Sequence, residues 1–384
     1  MSESKRRARR RAADTGGDRR HAVRPEQELP LGEILRLEVP PDRVERLKQL
    51  TCVDDPDVSE EVLTYLLRKQ AQFVNIQYTR FLSGIKFTEA EVDDLMRGAI
   101  DIHAHGGSEP FERLMLEDEL GIEATQAGMR ALVIKTWYTP SASRNEMAQR
   151  AVDRYAKEHG LEPALLFGGV TLNLSQGGLN PEAVKKCLKF PRMKYVWLPM
   201  VDSYHHHRVV YDDWSGAGVH LLDEKGKALP PLVEICKLCA DHDLVLATGH
   251  YPYRENAVVV EQARKAGVRR IEIIHPAHIH SKHTIAQMKT LAREGAMLML
   301  SGLGHLVFPL HESGPVYAAR MIKEIGADHL VYGSDFGQLQ NFSHVLAARW
   351  FIKVLLAYGA TRQEIVKIFK INTARHIGLE MKSG

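Results

Sequence analysis

The chain has 384 residues, 44% of them hydrophobic and 26% charged, with a formal net charge of +3; that is ample for one large core and too balanced for a disordered polyelectrolyte. No apolar run is long enough to cross a bilayer, and four cysteines (Cys52, Cys187, Cys236, Cys239) do not make a disulfide framework. The composition fits a cytoplasmic globular protein in a reducing compartment.

Residues 1–25 contain Lys5-Arg6-Arg7 and Arg9-Arg10-Arg11 and almost nothing apolar, which predicts a disordered basic arm. Through Arg24 it holds nine Lys or Arg against three acids, so the net +3 of the chain belongs to the arm and the body is slightly acidic. No apolar segment follows the arginines, as a secretory signal would require, and no nucleic-acid-binding motif accompanies them.

Residues 26–98 read as a helical extension, with helix starts at Pro40-Pro41-Asp42, Ser59-Glu60-Glu61-Val62 and Thr88-Glu89-Ala90-Glu91. The second of these helices carries Leu63, Leu66, Leu67, Phe73, Ile76 and Phe81, a broad apolar face that predicts packing on the rest of the chain and a homo-oligomer.

From residue 99 to 384 the pattern changes to short β-branched or apolar runs, eight in all: 100–105, 131–137, 165–172, 195–201, 244–250, 271–275, 296–301 and 330–335. Amphipathic helical stretches separate them, for example 144–159, 181–190, 232–242, 254–266, 282–293 and 315–325. Near-continuous apolar strands alternating with helices indicate a parallel sheet covered on both faces. Eight such units predict an α/β fold, a (β/α)8 TIM barrel, which typically takes about 250 residues.

The βα loops of such a barrel open at the C-terminal ends of the strands. His103 and His105 end the first run, His250 the fifth, His275 the sixth and Asp335 the eighth, so all five are expected at one mouth. Residues i and i+2 of a strand share a side, which suits His103 and His105 to one metal ion. Each of the five read alone is better explained as a hydrogen-bonded histidine or a helix N-cap aspartate; their joint placement favours a metal. Lys135 ends the second run.

The loops add further candidates. Trp137, Tyr138, Arg113, His278 and His205 fall where they would line the mouth and meet substrate. The stretch Tyr204-His205-His206-His207 reads as a polar loop, because adjacent residues of an extended segment point apart. The long connection 202–230 reads as a lid, with a hairpin turn at Asp223-Glu224-Lys225-Gly226-Lys227. Cys236 and Cys239 lie on a helical pattern, where packing outweighs a zinc or redox role. Dinucleotide, phosphate-loop and serine-nucleophile motifs are missing.

With Asp101-Ile102-His103-Ala104-His105-Gly106, Leu246-Ala247-Thr248-Gly249-His250, His275, Gly333-Ser334-Asp335-Phe336 and the closing Asn372-Thr373-Ala374-Arg375-His376, the last three quarters of the chain resemble the amidohydrolase superfamily. The resemblance implies a metal-dependent hydrolase acting on an amide, lactone or related bond of a small molecule. It implies metal ligation by His103, His105, His250, His275 and Asp335, with zinc foremost and manganese, iron or nickel as alternatives, in one or two ions. Asp335 would move the proton of the attacking water, and His275 would hold a second ion or act as an electrophile.

One departure stands out: where many two-metal members carry a bridging lysine or glutamate on the fourth strand, this chain reads Val196-Trp197-Leu198-Pro199-Met200-Val201. Lys135 is the available substitute, either carboxylated by carbon dioxide or as an ammonium that orients an anionic substrate. Two other classes stay open: a metal-dependent decarboxylase or lyase on an aromatic or unsaturated acid, and a non-catalytic barrel subunit. No nucleic-acid or membrane partner is implied.

Overall fold

The computed structural model describes residues 87–278, 280–306 and 314–379. The chain divides into two units, Met1–Tyr78 and Thr79–Gly384, and every described residue lies in the second. The expected basic arm, the two earlier helices of the extension and Cys52 lie outside the described residues. The third helix start is where the sequence places it: Thr88 caps α1 (Glu89–Met96), its side chain accepting from the Glu91 N–H at 3.2 Å.

Eight parallel strands follow: β1 Ile100–His105, β2 Ala131–Lys135, β3 Leu165–Thr171, β4 Met193–Trp197, β5 Val245–Ala247, β6 Arg270–Ile273, β7 Ala296–Ser301 and β8 Leu330–Gly333. Each pairs with the next in sequence. The ring closes between β8 and β1, where Asp335 N–H donates to His103 O at 2.7 Å, His105 N–H to Phe336 O at 2.8 Å and Ser334 N–H to the Asp101 carboxylate at 2.8 Å. This is the (β/α)8 barrel that the strand pattern predicts.

Alternation along the strands divides the core. Ile100, Ile102, Val133, Tyr195, Trp197 and Val331 fill the barrel interior, while their neighbours Leu132, Val196, Leu246, Ile273 and Leu330 pack outward under the helices. Each fully buried aliphatic side chain contributes about 1.5–3 kcal/mol. Glu272 also points inward, and its Oε2 accepts from Tyr195 Oη at 2.7 Å and faces His376 Nε2 at 3.1 Å, a paired carboxylate sealed into the base of the barrel.

The helices that cover the sheet include α2 Glu117–Gln126, α3 Asn145–His159 and α4 Pro181–Cys187, then α5 Tyr204–Val210, α6 Pro230–Asp241 and α7 Tyr253–Ala266. After them come α8 Ile285–Arg293, α9 Gly302–Leu306, α10 Pro315–Ile325, α11 His344–Ala357, α12 Arg362–Val366 and α13 Asn372–His376. No helix of the described residues is long and apolar enough to cross a membrane. Cys187, Cys236 and Cys239 are buried free thiols, as packing residues would be.

Two expectations need correction. The runs predicted to end at His250, His275 and Asp335 leave the sheet two or three residues earlier, so these side chains stand on the bends beyond β5, β6 and β8. His275 (φ +24°) and Asp335 (φ +60°) are among five described non-glycine residues with positive φ, a strained backbone that turns the side chains over the mouth. Second, the polar loop expected at 204–207 is the first turn of α5, capped by Ser203. The rest of that connection does carry the expected turn: Leu222 and Ala228 bridge antiparallel around Asp223–Lys227.

Candidate metal centre

The end of β1 carries His103 and His105, both buried, and the bend after β8 brings Asp335 against them. Asp335 Oδ1 lies 3.1 Å from His105 Nε2 and 3.5 Å from His103 Nε2, and its Oδ2 is 3.4 Å from Ser301 Oγ. Burial raises this carboxyl, and charge on His103, His275 and Lys135, where they are protonated, outweighs it and draws Asp335 below the usual carboxylate range. Lys135, buried at the end of β2, places Nζ 3.2 Å from His103 Nε2, and burial pushes its amine down to about 8.

Asp101 aims the first histidine. Its Oδ1 accepts from His103 N–H at 3.0 Å as well as from Ser334 N–H, so one carboxylate fixes both β1 and β8 at the mouth. Burial pushes Asp101 up to about 6.

A second group forms beside the first. His250 Nδ1 lies 2.8 Å from His206 Nδ1, and the His280 ring stacks on His250 with centroids 4.2 Å apart. His275 stands between the groups, its ring centroid 6.2 Å from His103 and 5.0 Å from His250. Burial holds His103, His105, His250, His275 and His280 well below the ordinary histidine range and His206 at about 4, so all are neutral imidazoles with a lone pair to offer.

The local chain explains this register. Ser203 Oγ accepts from His206 N–H at 3.0 Å and donates to His250 O at 2.8 Å, so a single hydroxyl ties the start of α5 to the bend after β5. Gly249 permits the approach, since a Cβ there would sit 1.8 Å from Pro199 O.

The structure brings the five expected ligands and Lys135 to one mouth, but sorts them. His103, His105 and Asp335 offer ligand atoms within 4.8 Å of one another, and His250 does so with His206 and His280. Buried His103 Nδ1 and His275 Nδ1 have no hydrogen-bond partner among the described residues. Two imidazoles with a carboxylate suit a divalent ion of the zinc class.

Of the expected substrate-facing residues, Trp137 stands edge-on to His105 (centroids 5.6 Å apart) and Tyr138 meets Phe111, while His278 lies beside His275. Arg113, expected to meet substrate, is engaged within the protein. Its side chain is 2% exposed, pairs at 2.5 Å with Glu109, whose side chain is buried, and lies 3.3 Å from His105 Nδ1. His205 lines a cavity of about 460 Å³ with Tyr253, Arg254 and Lys282.

Sequence reasoning gave no role to Glu109 or Asp101, set His206 aside as part of a polar loop, and took His280 only as a residue that could line the pocket. Read as a helix with Ser203 as its cap, the Tyr204–His207 run would have been seen to turn only one of its three histidines inward. Glu109 gave a weaker sign, its i,i+4 spacing to Arg113. Here it also accepts from the Trp137 and Tyr138 N–H groups and so fixes the loop after β2.

Residues 98–299, more than half of the chain, match a family described as a family of unknown function, DUF6282. No curated protein matches the chain. Among solved structures, an amidohydrolase from Pseudomonas aeruginosa is similar in fold, with a TM-score of 0.51 at 13% identity over 76% of this chain and 98% of that one. An amidohydrolase from Burkholderia multivorans with bound zinc gives 0.47 at 13% over 73% and 99%. A variant organophosphorus hydrolase from Deinococcus radiodurans gives 0.47 at 14% over 73% and 93%.

Proposed function

We propose that this chain, which belongs to the DUF6282 family of unknown function, is a divalent-metal-dependent hydrolase of the amidohydrolase type. The observation that carries the reading is Asp335, a buried carboxylate at the barrel mouth whose Oδ1 lies 3.1 Å from His105 Nε2 and 3.5 Å from His103 Nε2. When bound by His103, His105 and Asp335, the ion would lower the pKa of a coordinated water towards about 7 and polarise a carbonyl.

The chain's own groups do the rest. Asp335 takes the proton of the attacking water at Oδ2 and returns it to the leaving nitrogen or oxygen. His275, whose Nδ1 has no hydrogen-bond partner among the described residues, faces the same space and, as the Nδ1–H tautomer, donates to the carbonyl oxygen. Lys135 serves as a ligand in uncharged or carboxylated form, because an ammonium 3.2 Å from His103 Nε2 would repel the ion. Trp137 and Tyr138 form one wall.

The test is elemental mass spectrometry on protein purified without chelator, joined to a panel of lactones, esters and amides that carry a carboxylate. The expected result is bound divalent metal, reduced in His103→Ala, and metal-dependent hydrolysis. Release of carbon dioxide from a substrate acid would replace hydrolase by lyase. Absence of metal and of turnover would overturn the reading.

A further inference from the structure

The cavity of about 460 Å³ is used by no step above. Three segments line it: the start of α5 with His205, the start of α7 with Tyr253 and Arg254, and the turn before α8 with Ser281 and Lys282. Its volume suits a small molecule, and no Asp or Glu lines it among the described residues.

Hydrogen-bond donors meet here without acceptors. Pro252 is the N-cap of α7 and has no side-chain acceptor, so the N–H groups of Tyr253, Arg254 and Glu255 stand uncapped ahead of the first helical bond, Asn256 N–H to Pro252 O at 3.1 Å. The helix is 14 residues long and points the positive end of its dipole the same way. Arg254 and Lys282 form no ion pair among the described residues, and Glu255, the acid of that first turn, is taken by the Tyr204 hydroxyl.

Two observations independent of the helix point to a ligand. Ser281 is 5% exposed, and its buried Oγ has no hydrogen-bond partner among the described residues, a state that an acceptor relieves. Lys282 takes a positive φ of +47°, strained for a lysine. The turn that holds it there is secured by Ser281 N–H and Lys282 N–H, which donate to His278 O at 2.9 and 2.8 Å.

We infer that this cavity is an oxyanion site for a phosphate group, free or carried by a small molecule, held by Arg254, Lys282, the Ser281 hydroxyl and the uncapped N–H groups of α7. Phosphate fits this donor set because its oxygens accept from several directions at once, and cationic donors bind it most strongly. Tyr253 and Val209 give the organic remainder of such a molecule apolar surface. The inference is independent of the hydrolase reading, since the site needs neither the metal nor Asp335.

The experiment is calorimetric titration of the full chain with inorganic phosphate and with phenyl phosphate at constant ionic strength, in wild type, Arg254→Gln, Lys282→Gln, Ser281→Ala and His103→Ala. Circular dichroism establishes that each variant is folded. Saturable binding of one equivalent is expected in wild type and in His103→Ala. It should weaken about tenfold or more in Arg254→Gln and in Lys282→Gln, and roughly threefold or more in Ser281→Ala, where no charge changes. Tighter binding of phenyl phosphate would assign the site to a phosphorylated molecule, and equal binding to free phosphate.

Binding abolished in His103→Ala but kept in Arg254→Gln and Lys282→Gln would put the phosphate on the metal centre, overturning this site while leaving the hydrolase reading intact. Affinity unchanged in Ser281→Ala would reduce the cavity to diffuse surface charge and overturn the site, as would the absence of saturable binding in wild type.

Discussion

Asp335 meets His103 twice: its backbone N–H donates to the His103 carbonyl at 2.7 Å, and its carboxylate stands 3.5 Å from the same residue's Nε2. The contact that closes the barrel therefore also places the acid on the histidine. Asp335→Asn keeps the backbone bond and removes the ionised oxygen. Turnover on any substrate found in the panel should fall by about 10²–10⁴-fold, with a urea midpoint close to wild type. Full turnover in the variant would remove Asp335 from proton transfer.

Ser203→Ala tests whether one hydroxyl holds two histidines in register. The variant loses the cap of α5 and the donor to the His250 carbonyl. A loss of about 0.5–2 kcal/mol is expected by chemical denaturation. Stability within error of wild type would show that Ser203 is replaceable by water.

Gly249→Ala addresses the crossing of the chain segments after β4 and β5. Its Cβ would meet Pro199 O at 1.8 Å, and that atom is backbone, which cannot rotate aside. Destabilisation of roughly 1–3 kcal/mol or more follows from overpacking, measured as a lower thermal midpoint.

Lys135 offers a mass signature. A buried amine pushed down to about 8 is partly unprotonated near neutral pH, and attack of its lone pair on carbon dioxide forms an N–C bond, a carbamate and a released proton. Bicarbonate should raise the metal content of the wild type and leave Lys135→Met unaffected, and native mass spectrometry should show one carbon dioxide adduct. Equal metal content with and without bicarbonate would assign Lys135 an uncarboxylated role.

The thiols give a control on the core. Burial pushes Cys187 up to about 11 and Cys236 to about 12, so neither supplies thiolate near neutral pH. Iodoacetamide should label Cys187, Cys236 and Cys239 only after denaturant is added. Rapid native labelling of Cys236 or Cys239 would mark that Cys-x-x-Cys as accessible.

By itself the sequence determined the barrel and the position of its mouth. Strands buried on both faces leave a local record, a short apolar run bounded by polar residues, and the eight runs are the eight strands. His103, His105, His250, His275 and Asp335 were legible because each sits at the end of such a run, whatever lies beside it. Which of them share a ligand space was decided only by the tertiary structure. The bends after β5, β6 and β8 leave the sheet early, and two of them use positive φ to turn a side chain, a choice no local periodicity encodes.

The same holds for His206 and Arg113. Whether the Tyr204–His207 run is loop or helix depends on a Ser203 cap whose hydroxyl also reaches the distant His250 carbonyl. Arg113 reads as a free cation until Glu109 is seen buried against it. A charge advertises itself in sequence, but its partner is chosen by packing, because the cost of burying it alone forces a counter-charge to be near.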